Sequence, residues 1–211
     1  MFAQRNRAMK DFWNARYSQE AYAYGTAPNV FFKSRIDSLK PGRLLLPAEG
    51  EGRNAVYAAS SGFQVSAYDW SEAACAKAAK LAEQHQVKLD YQVCSLSDLT
   101  YPEETFDALA MVYVHFPEPI RTSNMKQLLA LLKPGGSFIF EAFSENHPRY
   151  QAENPEVGGP KEASFLYHLA DLKTHLTGYH FEYEAQEETV LDEGAFHKGL
   201  AEVVRVHAIK P

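Results

Sequence analysis

The sequence is poor in cysteine, in long apolar runs and in positive charge. Two cysteines among 211 residues, Cys75 and Cys94, are too few for a disulfide framework. Their spacing with the eight histidines fits no metal-ligand pattern, so no metal is expected. No uncharged apolar stretch approaches the roughly 20 residues of a membrane span. The N-terminal MFAQRNRAMKDFW carries charges but no apolar core of a secretory signal, so a cytoplasmic protein is expected. Lys and Arg number 21 against 27 Asp and Glu, a net charge of −6. That balance argues against nucleic acid as a partner and against a polybasic membrane surface. There is no internal repeat, no Gly-x-Ser-x-Gly nucleophile elbow and no Tyr-x-x-x-Lys pair of a short reductase.

What remains has the composition of a soluble globular protein: 45% hydrophobic, 13% aromatic and 23% charged, enough to fill one core. One domain over 1–211 is expected, as a monomer or a homodimer. Residues 1–40 are aromatic and read as irregular, a cover for whatever binds beneath. Strands are expected at Arg43–Leu46, Phe63–Tyr68, Leu89–Val93, Asp107–Val114 and Ser137–Phe143. Helices are expected from Arg53 to Gly62, from Glu72 (capped by Ser71) to Gln86, and from Ile120 to Leu132, where Leu128, Leu129 and Leu132 belong to the core. Residues 144–166 form a long loop with three prolines and a Gly pair, the length and composition of a lid. A short helix at 170–176 precedes strands at 181–190 and 201–209, joined by too short a link for a helical crossover. The fold class is therefore α/β: a doubly wound, mostly parallel seven-stranded sheet with an antiparallel final strand.

Such a sheet binds ligands beyond the carboxyl ends of its strands, where the strand order reverses. That rule gathers the Gly turn, Asp69, Ser95 to Asp98, Tyr113 to His115 and Glu141 around one crevice. Gly50-Glu51-Gly52-Arg53-Asn54-Ala55 fits a dinucleotide fingerprint, with Asp69 nineteen residues on to meet ribose hydroxyls. Charge argues otherwise. Glu49 and Glu51 would crowd a pyrophosphate on the helix N-terminus, whereas a sulfonium and an ammonium tolerate them. The acidic turn favours S-adenosylmethionine over NAD.

Leu46-Pro47-Ala48-Glu49-Gly50-Glu51-Gly52-Arg53-Asn54 resembles motif I of the class I S-adenosylmethionine-dependent methyltransferases, in the bacterial branch related to the tellurite-resistance and thiopurine enzymes. Trp13-Asn14-Ala15-Arg16-Tyr17 and Tyr24-Gly25-Thr26-Ala27-Pro28-Asn29 resemble that branch's N-terminal cover. Thr105-Phe106-Asp107-Ala108 and Leu132-Lys133-Pro134-Gly135-Gly136 resemble its fourth-strand entry and fifth-strand turn. The resemblance implies a cofactor site of Tyr17, Tyr24, Ala48, Glu49, Gly50, Gly52, Asn54, Asp69, Trp70, Ser95, Leu96 and Val112. The chain departs from the family pattern at Leu46, commonly acidic, at Ala48, commonly glycine, and at Ser95, commonly Asp; Glu49 and Asp98 are candidate replacements.

The implied activity is transfer of a methyl group to a small-molecule acceptor by in-line displacement. Positioning and water exclusion do most of that work, and a base matters only if the acceptor arrives protonated. His115, at the end of the fourth strand, is the candidate catalytic residue. Tyr113, His115, Glu141 and Tyr150 are candidate acceptor contacts, with Tyr167 near them under the lid. Arg205 and His197 read as solvated or as hairpin pairing. A non-catalytic binder of S-adenosylmethionine or S-adenosylhomocysteine is the alternative, and a short NAD(P)-dependent reductase a lesser one.

Overall fold

The computed structural model describes residues 2–211, with side chains from Arg7 onward. Its strands are β1 Arg43–Pro47, β2 Gln64–Asp69, β3 Asp90–Val93, β4 Phe106–Val112, β5 Leu132–Phe143, β6 His180–Glu193 and β7 His197–Ile209. They form one sheet in the order β3-β2-β1-β4-β5-β7-β6. β7 is antiparallel to both its neighbours, and every other pairing is parallel. The chain winds outward from β1 to β3, then returns to β4, so the strand order reverses between β1 and β4. In open sheets of this kind ligands bind in a crevice at such a reversal, beyond the carboxyl ends of the strands.

The helices are α1 Phe2–Tyr17, α2 Val30–Ile36, α3 Arg53–Ser60, α4 Glu72–Gln84, α5 Glu118–Ala130, α6 Pro148–Glu153 and α7 Leu169–His175. Successive strand residues point to opposite faces, and both faces are covered, which is why the central strands are apolar throughout. Leu45, Leu109 and Met111 pack with Met125, Leu128, Leu129 and Leu172 on one side. Leu44, Leu46, Ala108 and Ala110 pack with Phe31, Phe32, Ile36 and Ala55 on the other. The Ser71 hydroxyl accepts the Ala74 N–H and caps α4, as its sequence position suggests.

Several expectations are corrected. The segment 1–40 is not irregular: it contains α1 and α2. The helix expected at 120–132 starts and ends two residues earlier, and Leu132 already pairs with Phe106 at the start of β5. The 144–164 loop contains α6 and 3-10 turns at Pro155–Val157 and Ala163–Phe165, and it is pinched at its base by a Ser144–Tyr167 bridge. The last two strands reach 14 and 13 residues and meet in a short turn. Their extra length carries that turn over the crevice, where the Ala195 N–H donates to the Ala23 carbonyl at 3.0 Å.

Candidate active site

The turn after β1 is left-handed at alternate residues: φ is 48° at Ala48, 66° at Gly50 and 87° at Gly52. A Cβ on Gly52 would lie 2.6 Å from that of Ala78, so this glycine lets α3 lie against α4. A Cβ on Gly50 would lie 2.8 Å from the Tyr17 hydroxyl. The turn thus offers bare backbone, roofed by one phenol. Tyr91 donates to the Gly50 carbonyl at 2.5 Å.

Asp69 ends β2 beneath this turn and is buried. Its carboxylate accepts the Gly50 N–H at 3.0 Å and the Ser71 N–H at 2.9 Å. Burial pushes its pKa up, and the N–H donors oppose that shift. The two glutamates of the turn part company. Glu51 turns to the N-terminal cover, accepting the Ala23 N–H at 2.7 Å and pairing with Lys77 at 2.7 Å. Glu49 stays inside and accepts the Ala55 N–H at 2.7 Å, at the start of α3. Burial outweighs that bond and pushes the Glu49 carboxyl up to about 7.

A carboxyl raised on folding binds its proton more tightly in the native state. Its contribution therefore falls as pH rises from the ordinary carboxylate range through about 7. Glu49→Gln, which keeps an acceptor for Ala55, is expected to be neutral near pH 4.5 and to stabilise by about 3 kcal/mol at pH 8. Urea unfolding at both pH values checks this. Equal effects at the two would refute the buried-proton reading.

The cover holds Tyr17 in place. Trp13 stacks on Tyr17 with centroids 5.4 Å apart, and the Asn14 Oδ1 accepts the Ser71 hydroxyl at 2.7 Å. Tyr24 lies farther along: its hydroxyl accepts from Arg16 at 3.0 Å and its ring lies 4.5 Å from that of His197. Asn54 is buried, its Oδ1 accepting the Asn29 N–H at 2.9 Å. Trp70 is half-buried beside Asp69, and Val112 is half-buried at the end of β4. Ser95 is tied into a capping box with Asp98, its hydroxyl donating to that carboxylate at 2.6 Å. Leu96 is buried in the core and its carbonyl accepts from Gln127.

Beyond β4 the chain bends sharply. Tyr113 has a φ of 55° and donates its N–H to the Glu141 carbonyl at 2.7 Å. Its ring lies 4.4 Å from that of His197 and 4.8 Å from that of Phe143. Glu141 is completely buried, accepting from Arg205 Nε at 2.5 Å and Asn29 Nδ2 at 2.7 Å. Asn29 also donates to Glu193 at 2.9 Å, and Glu193 receives Arg53 at 2.9 Å and His197 at 3.1 Å. Burial opposes the Glu193 charge, but the His197 hydrogen bond and Arg53 prevail and hold its pKa at about 2. Of the two readings of His197 and Arg205, hairpin pairing holds, His197 with Glu193 and Arg205 with Glu187 and Thr189, and solvation is corrected: His197 is buried and Arg205 also turns inward onto Glu141.

His115 Nδ1 donates to the Phe165 carbonyl at 2.9 Å, and burial lowers its pKa to about 3 against that bond. His115 stacks with Phe143 at 5.7 Å, and the buried Tyr167 donates to the Val114 carbonyl. Tyr150 packs with Phe143 and Val157, while its hydroxyl donates to Glu188 and accepts from Arg149. The structure thus gathers Tyr17, Ala48, Glu49, Gly50 and Asp69 at one end of the crevice. It gathers Tyr24, Tyr113, His115 and Glu141 at the other, and leaves the side chains of Ser95 and Tyr150 engaged elsewhere. Sequence reasoning missed Tyr91, Arg53, Glu193 and His147. Only the Glu193–His197 spacing across a Gly turn hinted at a pair.

Among the described residues, no helix is long and apolar enough to cross a membrane. Residues 47–136 match the family model described as a methyltransferase domain. The chain is 27% identical over 143 residues to a ubiquinone biosynthesis O-methyltransferase of Coxiella burnetii, covering 67% of this chain. It spans about 60% of the length of that relative. Its fold is similar to TehB from Haemophilus influenzae, with a TM-score of 0.70 and 17% identity over 96% of this chain and 67% of that one. It is also similar to magnesium protoporphyrin IX methyltransferase from Synechocystis with bound S-adenosylhomocysteine. That match has a TM-score of 0.70 and 15% identity over 98% and 100% of the two chains.

Proposed function

We propose that the chain is a class I S-adenosylmethionine-dependent methyltransferase that methylates a small-molecule acceptor by in-line displacement; the match of residues 47–136 to a methyltransferase-domain model and the likeness of fold support the reading. One observation carries the reading: at the strand reversal a turn left-handed at Ala48, Gly50 and Gly52 lays bare backbone, with the Glu49 carboxyl on the turn itself and the buried Asp69 carboxylate bonded to the Gly50 N–H. That donor set suits a ligand with a cationic amino-acid end and a ribose. A carboxyl poised at about 7 ionises readily beside an ammonium, and Asp69 keeps unused lone pairs for hydroxyls. The same buried carboxyl disfavours a pyrophosphate, and with it the reductase reading.

Bound S-adenosylmethionine supplies an activated methyl group. The chain's own residues would do the rest. Asp69 and the Gly50 backbone fix the ribose end, Glu49 the ammonium, and the Ser95–Leu96 segment borders the adenine. Tyr17 and Tyr24 offer aromatic faces that favour a cation. The 144–166 segment, with α6, closes the acceptor end and excludes water. The small-molecule assignment rests on that closed end and on the acidic net charge of −6; the O-methyltransferase relative is consistent with it. A non-catalytic binder is the second reading, supported by the departures from the family pattern at Leu46 and Ala48.

Calorimetric titration with S-adenosylmethionine, S-adenosylhomocysteine and NADH tests the reading. Micromolar binding of the two sulfur ligands and none of NADH is expected. Silence from both sulfur ligands would overturn it, and binding without methyl transfer to any acceptor in a broad small-molecule screen would favour the second reading.

A further inference from the structure

Three imidazoles surround the Phe143 ring. His147 stacks on it at 3.9 Å, His115 lies near-parallel at 5.7 Å and His197 meets it edge-on at 5.2 Å. Each has one nitrogen facing a group that can only accept. His115 Nδ1 meets the Phe165 carbonyl, His147 Nε2 the Gly158 carbonyl at 3.0 Å, and His197 Nδ1 the Glu193 carboxylate. The engaged nitrogen therefore carries the hydrogen, and in the neutral ring the opposite nitrogen carries a lone pair. His115 Nε2 and His147 Nδ1 are buried with no hydrogen-bond partner. Bare buried acceptors call for a ligand that brings donors.

The charges nearby are already matched. Arg53 is spent on Glu193 and the Tyr24 carbonyl, and Arg205 on Glu141, Glu187 and Thr189. Arg121 donates to the Phe116 and Ser164 carbonyls and lies over Tyr167. Arg16 donates to Tyr24 and lies over Phe196. Among the described residues, these four guanidinium groups around the site are all engaged within the protein. Phe143 and Tyr113 pack against these imidazoles, so the side chains gathered at this end are aromatic.

We propose that this end of the crevice takes an uncharged aromatic acceptor bearing an O–H group, and that His197, backed by Glu193, accepts the proton which that group gives up. The proposal rests on the methyltransferase reading. His197 is the member of the trio with a carboxylate behind it, and Glu193 is itself fixed by Arg53 and Asn29. That arrangement orients the imidazole and stabilises the imidazolium. Burial keeps all three histidines neutral, the form a base requires. In the reaction the O–H proton passes to His197 Nε2. The oxygen pair forms the new C–O bond as the methyl–sulfur bond breaks onto sulfur, and the imidazolium returns its proton to water.

The test uses 4-nitrocatechol, whose visible spectrum reports ionisation, added to the full chain saturated with S-adenosylhomocysteine at a pH where the free probe is protonated. Binding is expected with a phenolate band already present, and selenite is not expected to compete. His197→Asn is expected to change affinity less than about threefold while removing the band, and Glu193→Gln to weaken it at least tenfold. Should the variants fold poorly, the wild-type protein still decides: nitrogen NMR of its histidines must show His197 with the hydrogen on Nδ1. The opposite tautomer, a band that survives His197→Asn, no binding of the probe, or competition by selenite would each overturn the proposal. Failure of S-adenosylhomocysteine itself to bind would instead strike the methyltransferase reading.

Discussion

Asp69→Ala is expected to weaken S-adenosylhomocysteine binding at least 100-fold, to the edge of calorimetric detection. The carboxylate is buried at the end of β2 and cannot swing away, because the Gly50 and Ser71 N–H groups hold one oxygen each. A carboxylate has about four acceptor sites, so each oxygen keeps capacity for a ribose hydroxyl. Hydrogen bonds to a charged group are worth about 1.5–3 kcal/mol each, and two such bonds exceed the 1.4 kcal/mol of a tenfold change. The substitution also orphans the Gly50 N–H at the point where the backbone must meet the ligand. Asp69→Asn keeps the shape but loses the charge and half the acceptors, so it should fall between wild type and Asp69→Ala. Thermal unfolding separates this from collapse of the turn. Wild-type affinity in a folded Asp69→Ala protein would remove Asp69 from the cofactor site.

The sheet was legible because its signals are local. Arg43–Leu46 and Asp107–Val114 are apolar runs bounded by turn residues, and both faces of the central strands are covered. The Gly turn and the Ser71 cap are equally local, since φ and one hydroxyl decide them. Helix α1 was not legible. It has no apolar stripe of its own, and it is held by contacts to a distant helix, Asn14 to Ser71 and Lys10 to Glu72. In a folded protein most of a helix's stability comes from such packing and not from propensity. The inward turn of His197 and Arg205 was hidden for a related reason. A polar residue in a hairpin is solvated by default, and only the pairing of Asn29 with residues 112 and 164 positions away reveals a buried network. The Gly turn proposed for the cofactor follows from a run of nine residues, whereas the proposed acceptor end is assembled from four separated segments.

Glu141→Ala is expected to cost about 3 kcal/mol of stability, the largest loss among the polar substitutions considered. Glu141 is fully buried and receives Arg205 on one oxygen and Asn29 on the other. Removing one partner of a buried pair costs about 3–5 kcal/mol, because the surviving charge stays desolvated. The lower end applies, since Arg205 retains Glu187 at 2.9 Å and is partly exposed. At this chain length that corresponds to a fall of roughly 6–12 °C in Tm. The double variant Glu141→Leu with Arg205→Met removes both charges and should recover most of the loss, as an apolar pair of similar volume avoids the desolvation cost. The pair of measurements also separates two roles for this carboxylate. If the double variant is stable and still binds 4-nitrocatechol, Glu141 serves to seat Asn29 and Arg205 behind the pocket. If stability returns while binding is lost, Glu141 meets the acceptor itself. A Glu141→Ala protein as stable as wild type would refute the buried-pair argument outright.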